Sequence, residues 1–288
     1  MADTRVTPQG PMTDEQVRTA FGFATLEPTG PVVAGSLGTW RLTYTVGGYG
    51  LDDGSTLMIS WRFATDWGRP QFDDPRAPDY ATVTTDGAAA VRARFDTKAG
   101  MRPWRKSIVI DVLDDGLAPG EQVILTLGET SGGSPGSRAQ TFCEYTFEWR
   151  TQVNVFATGE FILLPDSPEI EIVSGPATRL IAIVPSLATV GEEIEVAVKA
   201  EDAWGNPAKS YAGTVRLEAA GLEGLPDEYD FAPEDAGIHR FAATVAAAGA
   251  IRVAASDETL GASARSNPLL ASESTSAARV FWADPHGQ

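Results

Sequence analysis

Between residues 39 and 46 every second side chain is apolar. Trp40, Leu42, Tyr44 and Val46 alternate with Thr39, Arg41, Thr43 and Thr45. A strand sends successive side chains to opposite faces, so this period of two suits a half-buried strand and no helix. The period returns at Leu57, Ile59, Trp61 and Phe63, and again at Val123, Leu125 and Leu127. Gly47-Gly48, Asp114-Asp115-Gly116 and Ala118-Pro119-Gly120 interrupt the runs with turn chemistry. Further strands are predicted at 80–84, 89–95, 107–112, 141–149, 152–156 and 159–164. Many short strands punctuated by turns predict an all-β chain built as antiparallel β-sandwiches.

A chain of 288 residues has room for two domains of about 150 residues each. Residues 1–35 read as an irregular lead with one short helix, since Thr13-Asp14-Glu15-Gln16 has the form of a capping box. Residues 36–168 form the first predicted sandwich. Pro165-Asp166-Ser167-Pro168 marks its end, and 169–173 is read as a bridge into a second sandwich at 169–270. There the aromatics thin out and alanine becomes frequent. The Gly/Ser stretch 130–137 reads as a flexible loop. Val190-Gly191-Glu192, Asp202-Ala203-Trp204-Gly205-Asn206-Pro207 and Gly213-Thr214-Val215 follow one another at strand spacing. This succession resembles bacterial immunoglobulin-like domains over 178–268. The resemblance implies an immunoglobulin-like fold and carries no chemistry of its own.

Net charge is −17, from 22 basic and 39 acidic residues. Phosphate backbones and anionic membranes would repel such a chain, so neither nucleic acid nor membrane is expected as a partner. No run of eighteen apolar residues occurs, and the N-terminus shows no basic stretch followed by an apolar one. Cytoplasmic is therefore the default expectation, with export left open. The single cysteine, Cys143, lies in the run 141–149 and is read as a small buried apolar residue.

The loop 66–76 is the most site-like internal stretch. Trp67 and Phe72 offer rings to stack on a sugar, and Asp66, Asp73 and Asp74 offer oxygen to a cation. The same loop could pack over a sandwich end, or touch a neighbouring domain. Asp111, Asp114, Asp115 and Glu121 surround a turn and read as solvated acids before they read as a calcium site. The basic-aromatic stretch 101–106 is expected to lay a cation over Trp104. His239, with no second histidine nearby, reads as a surface or edge residue. No Gly-x-Ser-x-Gly elbow, phosphate loop or dinucleotide fingerprint occurs.

The chain's last residues, Phe281-Trp282-Ala283-Asp284-Pro285-His286-Gly287-Gln288, leave a predicted strand with an Asp and a His two apart. This ending resembles the opening motif of the bacterial domain-of-unknown-function family 3604, with Ser266-Asn267-Pro268 similar to its lead-in. That family carries a PHP-like metal-dependent hydrolase domain. The resemblance implies that Asp284 and His286 are ligands of a zinc- or manganese-type metal in a longer parent, with the catalytic domain downstream as partner. It implies no catalytic residue and no cofactor in this chain, since two ligands do not complete a metal site. Residues 271–288 would then be a linker and the start of that domain. The expected function is a non-catalytic accessory scaffold of a metal-dependent hydrolase-like protein of unknown substrate. The alternative is a free-standing carbohydrate- or protein-binding module using 66–76. A surface adhesion protein is the third reading.

Overall fold

A computed structural model describes residues 6, 7 and 10–274, so Asp284 and His286 lie outside the described residues. The chain divides after Val173 into two compact units. Its described elements are strands, apart from the helix Asp14–Phe21 and one short 3-10 turn.

The first unit packs two antiparallel sheets face to face. One has five strands in the order Ile162–Leu163, Arg150–Asn154, Thr56–Arg62, Trp104–Leu113, Ala90–Asp96. The other has four, in the order Phe23–Glu27, Trp40–Thr45, Gln122–Leu127, Ala81–Thr85. The alternation at 40–45 does what its period requires: Trp40, Leu42 and Tyr44 are buried while Arg41 is exposed. Register then pairs inward residues across strands, Ile59 opposite Ile108, Leu57 opposite Ile110 and Leu42 opposite Leu125. Burying such a side chain stabilises the fold by about 1.5–3 kcal/mol. Thr56–Arg62 is central and is covered on both faces, since Met58 and Ser60 are buried along with Leu57, Ile59 and Trp61. Phe63 falls just beyond the strand end and is exposed.

The lead departs from expectation. The capping box forms: the Gln16 amide donates to Thr13 Oγ1 at 3.3 Å, and the Thr13 amide donates to Gln16 Oε1 at 2.8 Å. Val17 and Phe21, four apart on one helix face, are buried. Phe23–Glu27 and Val32–Val33, however, are sheet strands and not irregular chain, because Ala24 and Leu26 supply another inward face. A second departure concerns 169–173. Strand Glu169–Val173 joins the first unit, antiparallel to Glu144–Glu148 and parallel to Val32–Val33, with Ile170 and Ile172 in that unit's core. It therefore closes the first sandwich and does not bridge to the second. Cys143 is only half buried. The stretch 130–136 is tied down too: Ser134 is buried, and a side chain at Gly132 would run into Pro75.

The second unit is an immunoglobulin-like sandwich. One sheet runs Arg179–Ile183, Glu193–Glu201, Ile238–Val245, Leu222–Glu223; the other runs Glu228–Asp230, Thr214–Glu218, Ala254–Asp257, Ala262–Arg265. Sequential strands thus trade sheets in Greek-key fashion. Leu187–Thr189 lies parallel to Leu269–Ser272, which also pairs with Gly249–Ile251. The core is made of small and β-branched side chains such as Val196, Val198, Ala200, Val215 and Val253, whereas Trp204 is exposed.

Candidate functional site

Loop 65–80 turns Trp67 into the core of the first sandwich. Trp67 is 5% exposed. Its ring lies 4.7 Å from Trp40, 4.9 Å from Phe147 and 5.5 Å from Trp149, centroid to centroid. Trp61 adjoins the same group, edge-on to Trp149 at 5.3 Å. Edge-to-face and offset arrangements of this kind add about 0.5–1.5 kcal/mol per pair beyond burial. Trp67 is thus the plug of an aromatic cage and has no free face for a sugar. Phe72 is half buried against the same core.

Asp66, next to the plug, is the anchor. Its Oδ1 accepts the Thr141 amide at 2.8 Å, and its Oδ2 accepts the Thr141 hydroxyl at 2.7 Å. Arg138 lies 3.4 Å from Oδ2 and also donates to the Asp66 carbonyl at 2.8 Å. Burial alone would push the Asp66 carboxyl up. The two hydrogen bonds from Thr141 and the Arg138 charge outweigh it and hold the group below its ordinary value. Asp73 and Asp74 are exposed and sit away from that anchor. Their amides donate to Gln71 Oε1 at 3.0 and 2.9 Å, and Asp74 Oδ1 accepts the Arg76 amide at 2.9 Å. Of the five loop residues expected to meet a ligand, Trp67, Phe72 and Asp66 are drawn into packing, and Asp73 and Asp74 into a local turn.

The other acidic groupings are shared out in the same way. Asp111 pairs with Arg94 and, at 3.9 Å, with Arg92; Glu121 accepts the Ala118 amide and Asp115 the Gly116 amide. Among the described residues, no group of three or more His, Cys, Asp or Glu side chains could hold a metal ion. His239 is half buried, on a part of Ile238–Val245 that pairs with Glu193–Glu201 on one side and, among the described residues, with no strand on the other. Its Nδ1 lies 2.6 Å from Asp235, and its ring lies 4.0 Å from that of Tyr229. Burial pushes the Asp235 carboxyl up, but the Ala232 amide, His239 and Tyr229 outweigh it and hold it low.

In the second unit the turn 202–207 closes on Asp202, which is 1% exposed. Oδ1 accepts the amides of Trp204 and Asn206 at 2.9 and 3.0 Å, and Oδ2 accepts the Gly175 amide at 3.0 Å. Asp257 repeats the pattern, taking the Tyr211 hydroxyl at 2.6 Å and the amides of Thr259 and Leu260. Asn267, read from sequence as part of a lead-in, clamps both backbone groups of Val184 at 3.0 and 2.8 Å. Beside it lies an open, largely apolar groove of about 760 Å³ whose lining includes Ile183, Leu187, Ala250 and Leu270.

The cation expected over Trp104 is present, but it comes from outside 101–106. The guanidiniums of Arg62 and Arg150 lie 5.2 and 5.3 Å from its ring, and Arg102 lies 5.6 Å from that of Phe63. The cations come from neighbouring strands, and only strand register could have shown it, since Trp104 pairs with Arg62.

No family model matches the chain, and no curated protein does. The resemblance of 281–288 to family 3604 therefore has no support beyond those residues. Solved structures of similar fold include FdeC, an Escherichia coli adhesin, at 16% identity over 88% of this chain and 64% of that one, TM-score 0.30. A two-domain fragment of intimin matches at 11% identity over 86% and 98%, TM-score 0.30. Invasin, a bacterial integrin-binding protein, matches at 14% over 85% and 38%, TM-score 0.25. At these identities and TM-scores the likenesses carry no conclusion about this chain. No helix among the described residues is long and apolar enough to cross a membrane.

Proposed function

We propose that the two sandwiches form a non-catalytic scaffold that presents its surface to another domain or protein. One observation supports this reading above the rest. The well-buried or anchored carboxylates, Asp66, Asp202 and Asp257, spend their oxygens on backbone amides and hydroxyls, some in their own turns (Trp204, Thr259) and some on distant segments (Thr141, Gly175, Tyr211). Groups committed in this way hold loops in place; a general base or metal ligand needs an oxygen free to meet substrate or ion. In its narrower form the scaffold serves a metal-dependent hydrolase domain for which Asp284 and His286 would be the first ligands. That form rests on the resemblance of 281–288 alone. Titration of this chain with zinc and manganese by calorimetry tests the broader reading: no stoichiometric uptake tighter than about 10 μM is expected, some 7 kcal/mol of binding. Tight one-to-one uptake that survives removal of 281–288 would overturn it. Reading the gene past Gln288 tests the narrower form, which requires further His, Asp and Glu clusters in frame.

A further inference from the structure

Charge on this chain is not evenly spread. Six of its 22 basic residues, Arg92, Arg94, Lys98, Arg102, Arg105 and Lys106, fall within 92–106, alongside one acid, Asp96. A segment of net charge +5 thus sits in a chain of net charge −17. It is carried by the strand Ala90–Asp96, the turn after it and the start of Trp104–Leu113.

Ala90–Asp96 is an edge strand. It pairs with Trp104–Leu113 on one side and, among the described residues, with no strand on the other. Such an edge presents a row of N–H and C=O groups ready to accept another strand. Its two faces differ. Val91, Ala93 and Phe95 are half buried, while Arg92 and Arg94 point outward and their side chains are 74% and 56% exposed. Both guanidiniums lean on one carboxylate, that of Asp111. The alternation puts Asp96 on the same face, its carboxylate accepting the Lys98 amide at 2.7 Å, so the segment's surplus positive charge comes from exposed Lys98 and Arg102 just past the strand end.

From this geometry we infer that Ala90–Asp96 is a docking edge for an acidic, extended protein segment that adds as a sixth strand. Residues two apart on a strand are about 6.8 Å apart, so Arg92 and Arg94 match acidic residues at alternate positions of an incoming strand. Arg forks take carboxylates in bidentate fashion, which rewards an acidic strand over a neutral one. The row of backbone donors and acceptors selects a peptide over other polyanions. Exposed Lys98 and Arg102 continue the positive track past the strand end. The same arginines repel a basic or a like-edged strand, so the edge is guarded and selective together. This inference rests on the scaffold reading above and names the partner class.

The probe is an eight-residue peptide of alternating Thr and Glu, capped at both ends, titrated against the full chain at 50 mM salt. Saturable binding is expected, weakened at least fivefold at 300 mM salt and at least tenfold in Arg92→Gln/Arg94→Gln. In Arg92→Glu/Arg94→Glu the Thr-Glu peptide should fail and a Thr-Lys peptide should bind. Hydrogen exchange should slow at those amides of 90–96 that do not bond to the neighbouring strand. Three results overturn the inference: no saturable binding, binding indifferent to the Gln variant, or binding without protection of the edge amides. Self-association through this edge that excludes the peptide would also overturn it, by assigning the edge to a second copy. Circular dichroism of the Gln variant confirms that it folds. A negative result leaves the metal titration to judge the scaffold reading on its own, and tight metal uptake leaves the peptide result standing.

Discussion

Asp202 and Asn206 are joined twice, the Asn206 amide donating to Oδ1 at 3.0 Å and the Asn206 side chain donating to Oδ2 at 2.9 Å. With the Trp204 and Gly175 amides also on this carboxylate, one side chain fixes the turn and ties the start of the unit to it. Asp202→Ala leaves these buried donors without an acceptor. A loss of about 3 kcal/mol is expected, since each orphaned group costs about 1–3 kcal/mol and some will reach water. Urea denaturation with hydrogen exchange on 193–201 and 238–245 measures it. Asp202→Asn, which keeps one acceptor, should lose less.

Trp67 gives the second expectation. Were the loop 66–76 a ligand platform, Trp67→Ala would cost binding and leave the fold alone. Because the ring fills the cage of Trp40, Trp61, Phe147 and Trp149, the substitution should cost about 3–5 kcal/mol and reduce the near-UV circular dichroism of the cluster. A stability within 0.5 kcal/mol of the parent, on the scale of an ordinary surface change, would contradict the packing argument.

How far the sequence could have shown this depends on the kind of information involved. Alternation at 40–46 and 123–127 is local, and the strands there follow from it. The run Glu169-Ile170-Glu171-Ile172 alternates as plainly, yet its partners are Phe147 and Val32, and no local pattern names partners so far away along the chain. Trp67 sits in a loop with no period at all, so its inward direction is set by tertiary packing. The acids at 66, 73 and 74 looked alike in sequence. Only the placement of Thr141 and Arg138 beside Asp66 separates it from the other two.

Gly22 ends the helix with φ +92, and a side chain there would run into the Thr45 carbonyl oxygen. Gly22→Ala combines left-handed backbone with a backbone clash, so neither rotamer nor loop can relieve it. A loss above about 2 kcal/mol is expected, against about 1 kcal/mol for Thr13→Ala at the opposite cap. Thermal melts of both variants rank them, and the reverse order would count against the clash.

Acid should find the weak points of both units. For Asp66, Asp202, Asp257 and Glu201, burial pushes the carboxyl up but hydrogen bonds outweigh it, joined by the Arg138 charge at Asp66 and the Lys199 and Arg179 charges at Glu201, so the folded value lies below the unfolded one. Each such group adds stability that is present above its unfolded value, about 3.9 for Asp and 4.3 for Glu, and is lost as pH falls through the folded value. Stability should therefore hold from pH 7 to about 5 and decline below about 4. Asp202→Asn removes one of these titrations, so its deficit against the parent should shrink as pH falls; a deficit unchanged between pH 7 and 2.5 would contradict the linkage. Glu148 runs the other way. Burial first, and the Glu169 charge, raise it against the pull of Arg150 and Arg62, so its ionised form costs stability at neutral pH. Glu148→Gln imitates the protonated form. It should raise stability at pH 7 and leave it unchanged at pH 3, and urea midpoints at the two pH values read the difference directly.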